Sequence, residues 1–197
     1  MIELDYFIIK SGFDIDRLKN DLQIVNNLNE YINPKNIKEK TFSISKETYG
    51  WEALPLHTLD GKCDNSSAIP IDIKPNHTFL PNYILKKCKY IQEIIRELNT
   101  EIYLVRIMKL SKNGYIAPHI DKFINNTNVI RCQLPIITDK QVDFVMNKNI
   151  YNLEAGNLYF INVGEKIHWV KNNSNFDRYT LVIDMKPTKE ILSTLTR

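Results

Sequence analysis

The stretch that decides the fold is Glu101-Ile-Tyr-Leu-Val-Arg-Ile-Met-Lys-Leu-Ser-Lys-Asn-Gly-Tyr-Ile-Ala-Pro-His-Ile-Asp121. β-branched and aromatic residues fill the runs on either side of Lys112-Asn113-Gly114, and such runs between turn residues are typical of antiparallel strands. Further runs of this kind are predicted as strands at 129–137, 141–146, 149–151, 158–163, 167–170 and 178–185. Together with the two runs in the quoted stretch, these predicted strands are about as many as a jelly roll needs.

Upstream of this stretch the pattern is mixed. Helical spacing of apolar residues predicts one helix over 14–28, with Asp14 as its N-cap, and a second from Asn82 to Leu98. Residues 41–58 have interrupting Gly and Pro, which predict short extended pieces and loop. The predicted fold is mainly β with flanking helices (α+β), with the strands arranged as a jelly roll. Region 1–100 is expected to pack on a core at 101–197, as one structural domain.

Composition and charge limit the class of protein. Of the 197 residues, 43% are hydrophobic and 25% charged, which suits one globular domain. The net charge of +3 is scattered, so no basic stripe indicates nucleic acid as a partner. No apolar run is long enough to cross a bilayer, and the three cysteines have no close pair. These features predict a cytoplasmic protein without a membrane partner.

The motif with the clearest chemistry is Ala117-Pro-His119-Ile-Asp121. On a strand, His119 and Asp121 leave from the same face, and Ile120 is expected to point into hydrophobic packing. An imidazole and a carboxylate are two-thirds of a facial triad for iron(II), and His168 is the only histidine downstream that can complete it. Each residue also has an ordinary interpretation, because HxD occurs by chance and His119 can simply hydrogen-bond Asp121.

Arg178 opens the last predicted strand, Arg178-Tyr-Thr-Leu-Val-Ile-Asp184. Alone, Arg178 could be a charge at the end of a strand, exposed to solvent. The alternative is a buried guanidinium, which binds a carboxylate through two parallel hydrogen bonds. Trp51, His57 and Arg106 are predicted to contact the substrate. Each has an ordinary alternative: Trp51 can be a core residue, His57 a hydrogen-bond donor in a loop, and Arg106 a charge on the surface of a strand.

The order and spacing of these motifs between Val105 and Met185 resemble the aspartyl/asparaginyl β-hydroxylase family of iron(II)/2-oxoglutarate oxygenases. The similarity includes Arg131-Cys-Gln-Leu-Pro and Leu153-Glu-Ala-Gly-Asn-Leu-Tyr-Phe-Ile-Asn162. It implies a double-stranded β-helix, iron ligands at His119 and His168, Arg178 as the clamp on 2-oxoglutarate, and Arg131 as a second cationic contact.

Two departures qualify the resemblance. Vertebrate members have glycine where this chain has Asp121, whereas small bacterial members keep the carboxylate. Gln133 stands where several relatives carry histidine near the co-substrate.

The resemblance implies hydroxylation of an amino acid or an Asp/Asn-type residue, free or in a peptide. The cofactors it implies are Fe(II), 2-oxoglutarate and O2, with succinate and CO2 released. A cupin-like metal isomerase or epimerase and a non-enzymatic binding module on the same fold are the alternatives.

Overall fold

A computed structural model describes residues 4–28, 30–37, 44–64, 67, 73–74, 76–126 and 128–195. The strands within these ranges are β1 (Tyr6–Lys10), β2 (Tyr49–Leu59), β3 (Phe79–Pro81), β4 (Ile102–His119), β5 (Ile130–Ile137), β6 (Val142–Met146), β7 (Asn149–Tyr151), β8 (Leu158–Ile161), β9 (His168–Asn172) and β10 (Arg178–Met185). The helices are α1 (Ile15–Leu28), α2 (Lys89–Glu97) and α3 (Lys189–Leu195), with 3-10 turns at Pro34–Asn36 and Leu85–Lys87.

The strands form one curled antiparallel sheet in the order β1-β8-β5-β10-β4-β9-β6-β7, with β2 beside β4 and β3 beside β2. The predicted mainly β fold with flanking helices is confirmed. Strands from both halves of the chain share the sheet, since β1 pairs with β8 and β2 pairs with β4. The division at residue 100 stays a prediction. No helix of the described residues is long and apolar enough to span a membrane.

The interruption predicted at Lys112-Asn113-Gly114 does not end a strand, because β4 runs through it. It marks instead the place where β4 changes partner, from β10 along Ile102–Leu110 to β9 along Tyr115–His119. Asn113 has the left-handed φ of 59°. The Asn172 side chain donates to the carbonyls of Leu110 and Ser111, both at 3.1 Å, which satisfies acceptors at the bend.

The prediction of short pieces and loop over 41–58 is wrong for most of its length. Residues 41–43 lie outside the described ranges, but 49–59 form one continuous strand, β2. Pro55 is tolerated because the register against β4 shifts between Pro55 and His57 and because β3 pairs only with residues 57–59. β1 has no counterpart among the predicted strands.

The predicted helix over 14–28 is confirmed as α1. Asp14 is its N-cap, because its Oδ1 accepts hydrogen bonds from the N–H groups of Asp16 and Arg17, both at 3.0 Å. The predicted helix over 82–98 is present as the 3-10 turn followed by α2. Asn82 caps it through Oδ1, which accepts from the N–H groups of Ile84 and Leu85.

Alternation along β5 and β10 separates an apolar face from a polar one. One face carries Ile130, Cys132, Leu134 and Ile136 of β5 and Leu181, Ile183 and Met185 of β10, all in the core cluster that includes residues of α1, α2 and α3. The opposite face carries Arg131 and Gln133 of β5 and Arg178, Thr180 and Asp184 of β10, which are buried polar residues. The fold therefore directs polar groups into the interior of the curled sheet.

Candidate active site

The two predicted histidine ligands meet where β4 ends and β9 begins. His119 and His168 are register partners, and their ring centroids lie 4.1 Å apart. Nδ1 of His119 is 2.8 Å from the carbonyl oxygen of Ala117, and Nδ1 of His168 is 3.2 Å from that of Lys166. Because a carbonyl only accepts, each Nδ1 carries the proton. Each Nε2 therefore keeps its lone pair for a metal.

Asp121 reaches the same place from a turn, because β4 ends two residues earlier at His119. Its N–H donates to the carbonyl of Val163 at 2.9 Å, and its own carbonyl accepts from Ile124 at 2.9 Å. Gly164 allows this close approach, since a Cβ there would lie 2.0 Å from the Ile124 carbonyl oxygen. The turn thus holds Asp121 against the segment that precedes β9.

The sequence prediction placed Ile120 in hydrophobic packing, and this is wrong. Ile120 is 39% exposed and borders the cavity, because the strand has already ended and its alternation no longer applies. His119 and Asp121 converge all the same. Asp121 Oδ1 lies 3.6 Å from Nε2 of His119 and Oδ2 lies 3.8 Å from Nε2 of His168.

These three residues could hold a metal ion, since one ligand atom from each lies within 4.8 Å of the others. Two imidazole nitrogens and one carboxylate oxygen are the donor set of a facial triad. Phe144 stacks on the His168 ring at a centroid distance of 6.2 Å and covers that side of the site. The donor chemistry fits iron(II).

Electrostatics keep the ligand groups in their metal-binding forms. Burial would raise the pKa of Asp121, but the Arg131 guanidinium and the two imidazoles lower it to about 2. Burial lowers the pKa of His168 to about 4, against the opposing effect of Asp121. At neutral pH the site therefore offers a carboxylate and a neutral His168 ring.

Beside the triad runs a buried network of charged side chains. Asp184 accepts from Arg131 at both oxygens, Nε to Oδ1 at 2.6 Å and Nη2 to Oδ2 at 2.7 Å. Nη1 of Arg131 is paired with Oδ2 of Asp121. Arg106 Nη2 also donates to Asp184 Oδ2, at 2.7 Å. Burial would lower the pKa of Arg131, but Asp121 and Asp184 raise it, so the guanidinium stays charged.

Arg178 is buried in the same interior and has no carboxylate partner among the described residues. The residue is only 4% exposed, and burial lowers the pKa of its guanidinium to about 10. Nη2 has a long contact of 3.5 Å with Gln133 Oε1, and Nε has no hydrogen-bond partner among the described residues. Thr180, two positions along the same face of β10, also has a buried hydroxyl with no partner there. Nε and Nη1 of Arg106 lack partners there as well, and buried groups of this kind require a partner, either a water or a ligand.

A cavity of about 730 Å³ connects these groups. Its walls include all three residues of the triad, Arg131 and Arg178, together with Trp51 and Met108. Trp51 Nε1 donates to the Met108 sulfur at 3.4 Å. Arg106 lies in the wall but is completely buried, so its predicted contact with substrate would require it to move.

His57 lies outside this cavity. It is not among the lining residues, and its Nδ1 is 2.8 Å from the carbonyl oxygen of Tyr103. The structure gives no support to its predicted contact with substrate.

Comparison with known proteins identifies the family. The model of the family described as aspartyl/asparaginyl β-hydroxylase matches residues 15–187. The chain belongs to this family. The hydroxylase is therefore an oxygenase, as predicted, and the cofactors of its class are iron(II), 2-oxoglutarate and O2.

Solved structures show the same fold at low identity. A prolyl hydroxylase from Trichoplax adhaerens, in complex with a peptide fragment of the hypoxia inducible factor oxygen degradation domain, has a TM-score of 0.57 at 13% identity, over 98% of this chain and 86% of that one. An oxidoreductase of the 2OG-Fe(II) oxygenase family from Burkholderia pseudomallei has a TM-score of 0.57 at 12% identity, over 93% and 86%. A Pseudomonas putida prolyl-4-hydroxylase has 0.51 at 11%, over 94% of each chain. A search of curated proteins finds no match.

Asp184 and Thr180 of the hydroxylase were missed by the sequence predictions. A signal for Asp184 was available, because it is an acid in the otherwise apolar run Leu181-Val-Ile-Asp-Met185. Arg106 and Arg131 are likewise charged residues inside apolar runs. Buried charges in strands require partners, so these residues could have been expected to pair. Thr180 gave no signal, since threonine is common in strands.

Proposed function

We propose that this hydroxylase binds iron(II) through His119, Asp121 and His168 and anchors 2-oxoglutarate through Arg178. Its substrate is an amino acid or an Asp/Asn-type residue of a peptide. The observation that carries the proposal is the buried Arg178 guanidinium, which faces the same cavity as the triad and has no carboxylate partner among the described residues.

A desolvated cation of this kind is unfavourable unless an anion joins it. 2-Oxoglutarate has a carboxylate at the end opposite its keto acid, so one molecule can pair with Arg178 while its keto acid chelates the metal. The Thr180 hydroxyl is a second donor for that carboxylate, because it lies on the face of β10 between Arg178 and Val182, which both line the cavity, although Thr180 itself is buried behind the wall. The cavity volume of about 730 Å³ lies within the range of small-molecule sites.

Iron(II) with 2-oxoglutarate supplies the oxidation, in which O2 is consumed, the co-substrate leaves as succinate and CO2, and the substrate gains a hydroxyl group. The residues of the chain orient these groups and exclude water. Phe144 shields His168, and burial strengthens the attraction between Arg178 and an anion.

Arg131 is the second cationic contact that the resemblance implies. Its Nε and Nη2 donate hydrogen bonds to Asp184, and one hydrogen of Nη1 is paired with Asp121. A guanidinium has five N–H bonds, so one hydrogen on each of Nη1 and Nη2 is left for a co-substrate. We propose that Arg131 contributes to co-substrate binding less than Arg178 does.

The substrate is proposed to enter beside Trp51 and Met108, where the cavity wall is apolar and borders the triad. The family description, aspartyl/asparaginyl β-hydroxylase, supports an Asp- or Asn-type target. A metal isomerase or epimerase that works without 2-oxoglutarate would have no use for Arg178, and a pure binding module would have no need of a complete triad.

The deciding experiment measures succinate released from 2-oxoglutarate by the purified protein with iron(II), ascorbate and O2. Free amino acids and Asp- or Asn-containing peptides are then compared by the extra succinate that each elicits and by a mass gain of one oxygen atom. A His168→Ala protein serves as the matched blank. Release of succinate by wild type and blank alike would show that the site does not carry the reaction.

A further inference from the structure

Asp184 holds one edge of Arg131. The two residues are register partners on β10 and β5, and both carboxylate oxygens take N–H groups from the same edge, at 2.6 and 2.7 Å. The guanidinium is planar and rigid, so fixing its Nε and Nη2 edge also fixes the direction of Nη1. Both side chains are buried, which leaves little room for another orientation.

That fixed Nη1 is paired with Oδ2 of Asp121. The other oxygen, Oδ1, is not in contact with Arg131 and lies 3.6 Å from Nε2 of His119. Oδ2, the oxygen paired with Arg131, also lies 3.8 Å from Nε2 of His168. The carboxylate therefore has one oxygen committed to a protein cation, and Oδ1 is the oxygen that faces the site free of Arg131.

This division matters for the coordination of a metal. Two histidines and one carboxylate oxygen leave three positions of an octahedral iron(II) open, which a chelating co-substrate and oxygen require. A carboxylate that bound through both oxygens would occupy one of these positions.

We propose that Asp184 is a positioning residue of the metal centre, which, by gripping Arg131, restricts Asp121 to offering the metal one oxygen. The role of Asp184 rests on the proposed metal site, and it is separate from any contact of Arg131 with co-substrate. It explains why a second buried acid lies beside the triad without being a ligand of it.

Arg106 provides the matched control. It donates to the same Oδ2 of Asp184 at 2.7 Å and is equally buried. It has no hydrogen bond or ion pair with Asp121 among the described residues and acts on that carboxylate through its charge alone. Arg106→Met therefore disturbs the buried network as Asp184→Asn does, but it leaves the grip of Asp184 on Arg131 in place.

The experiment is a double-mutant cycle on the dissociation constant of Co(II), measured anaerobically without 2-oxoglutarate. The four proteins are wild type, Asp184→Asn, Arg131→Met and the double variant. Asp184→Asn is expected to raise the dissociation constant by about 10- to 100-fold, the usual effect of losing an outer partner of a ligand. In the Arg131→Met background the same substitution should change it by less than about twofold, because Asp184 then has nothing to position.

The visible absorption of bound Co(II), which reports the number and type of its ligands, should change in Asp184→Asn and stay as in wild type in Arg106→Met. An equal effect of Asp184→Asn in both backgrounds, or an equal loss of affinity in Arg106→Met, would overturn the role of Asp184. If Asp184→Asn does not fold, Arg131→Lys decides the matter. It keeps the charge but lacks the edge that Asp184 grips, so wild-type affinity and absorption in that variant would refute the inference.

Failure of wild type to bind Co(II) or iron(II) would instead refute the proposed metal site.

Discussion

Arg178 gives the sharpest test of the co-substrate assignment. In Arg178→Ala, a dicarboxylate chelated at the triad would place its distal carboxylate in the buried space that the guanidinium leaves. The structure offers little compensation there, since Gln133 is 3.5 Å from Arg178 Nη2 and Thr180 has a single hydroxyl. An anion left without its cation in such a place costs about 3–5 kcal/mol. The dissociation constant of 2-oxoglutarate should therefore rise by roughly two to four powers of ten.

The free energy of unfolding of an Arg178→Met variant, which serves as a second test beside Arg178→Ala, should not fall together with its affinity for 2-oxoglutarate. Without co-substrate, Arg178 is a buried charge whose one hydrogen bond to a described residue is long, and removing such a charge relieves a desolvation penalty. Replacement by Met, which preserves much of the volume, should leave the free energy of unfolding of the co-substrate-free protein unchanged or higher. Loss of binding then cannot be attributed to loss of the fold.

The assay is anaerobic titration of the iron(II) protein with 2-oxoglutarate, followed by visible absorption, with urea unfolding in parallel. Arg178→Lys should recover only part of the affinity, because an ammonium cannot form two parallel hydrogen bonds. Lys109→Met is the control, since Lys109 lies on the adjacent strand and is held by Glu52 on the other face. Wild-type affinity in Arg178→Ala would place the anchor elsewhere, with Arg131 as the next candidate.

Substitutions at the other positions of the site separate the remaining assignments. His168→Ala should abolish iron(II) binding in equilibrium titration while circular dichroism keeps its wild-type form, and retained binding would remove it from the ligand set. Asp121→Gly should weaken iron(II) binding without erasing it, so an unchanged affinity would mean that the carboxylate is not a ligand. Thr180→Val should raise the 2-oxoglutarate dissociation constant by roughly one to two powers of ten, since a hydrogen bond to a charged group contributes about 1.5–3 kcal/mol. A constant equal to that of wild type would exclude this hydroxyl. Gly164→Ala should lower both the melting temperature and the iron(II) affinity, because its methyl group would lie 2.0 Å from the Ile124 carbonyl oxygen. If neither changes, the turn that carries Asp121 relaxes freely.

The fold class could be predicted because apolar and polar residues alternate clearly along the strands in the middle of the sheet. In β5 and β10, apolar residues recur at every second position, and the two strands were placed close to their observed limits. The prediction failed where pairing overrides local preference. β2 contains Gly50 and Pro55, yet its partner β4 keeps it extended across 49–59.

The identities of the triad residues were likewise accessible, but their geometry was not. HxD and a later histidine are visible in the sequence, whereas the pairing of His119 with His168 depends on which distant strands are neighbours. The same is true of Asp184, whose contacts with Arg106 and Arg131 join three strands. Local pattern shows that a charge lies in a strand, and only the topology shows what it touches.

The position of β10 has a consequence for how the chain reaches its native state. Residues 178–185 lie between β5 and β4, so the most C-terminal of the described strands is central in the sheet. Until it is inserted, β4 and β5 each present an unpaired edge, and β1 depends, among the described strands, on pairing with β8, which lies far along the chain. Closure of the sheet must therefore wait for synthesis to pass residue 185, and slow folding dominated by non-local contacts is expected. Nascent chains that stall before β10 should be protease-sensitive and prone to aggregate, and they should depend on chaperones that cover open strand edges.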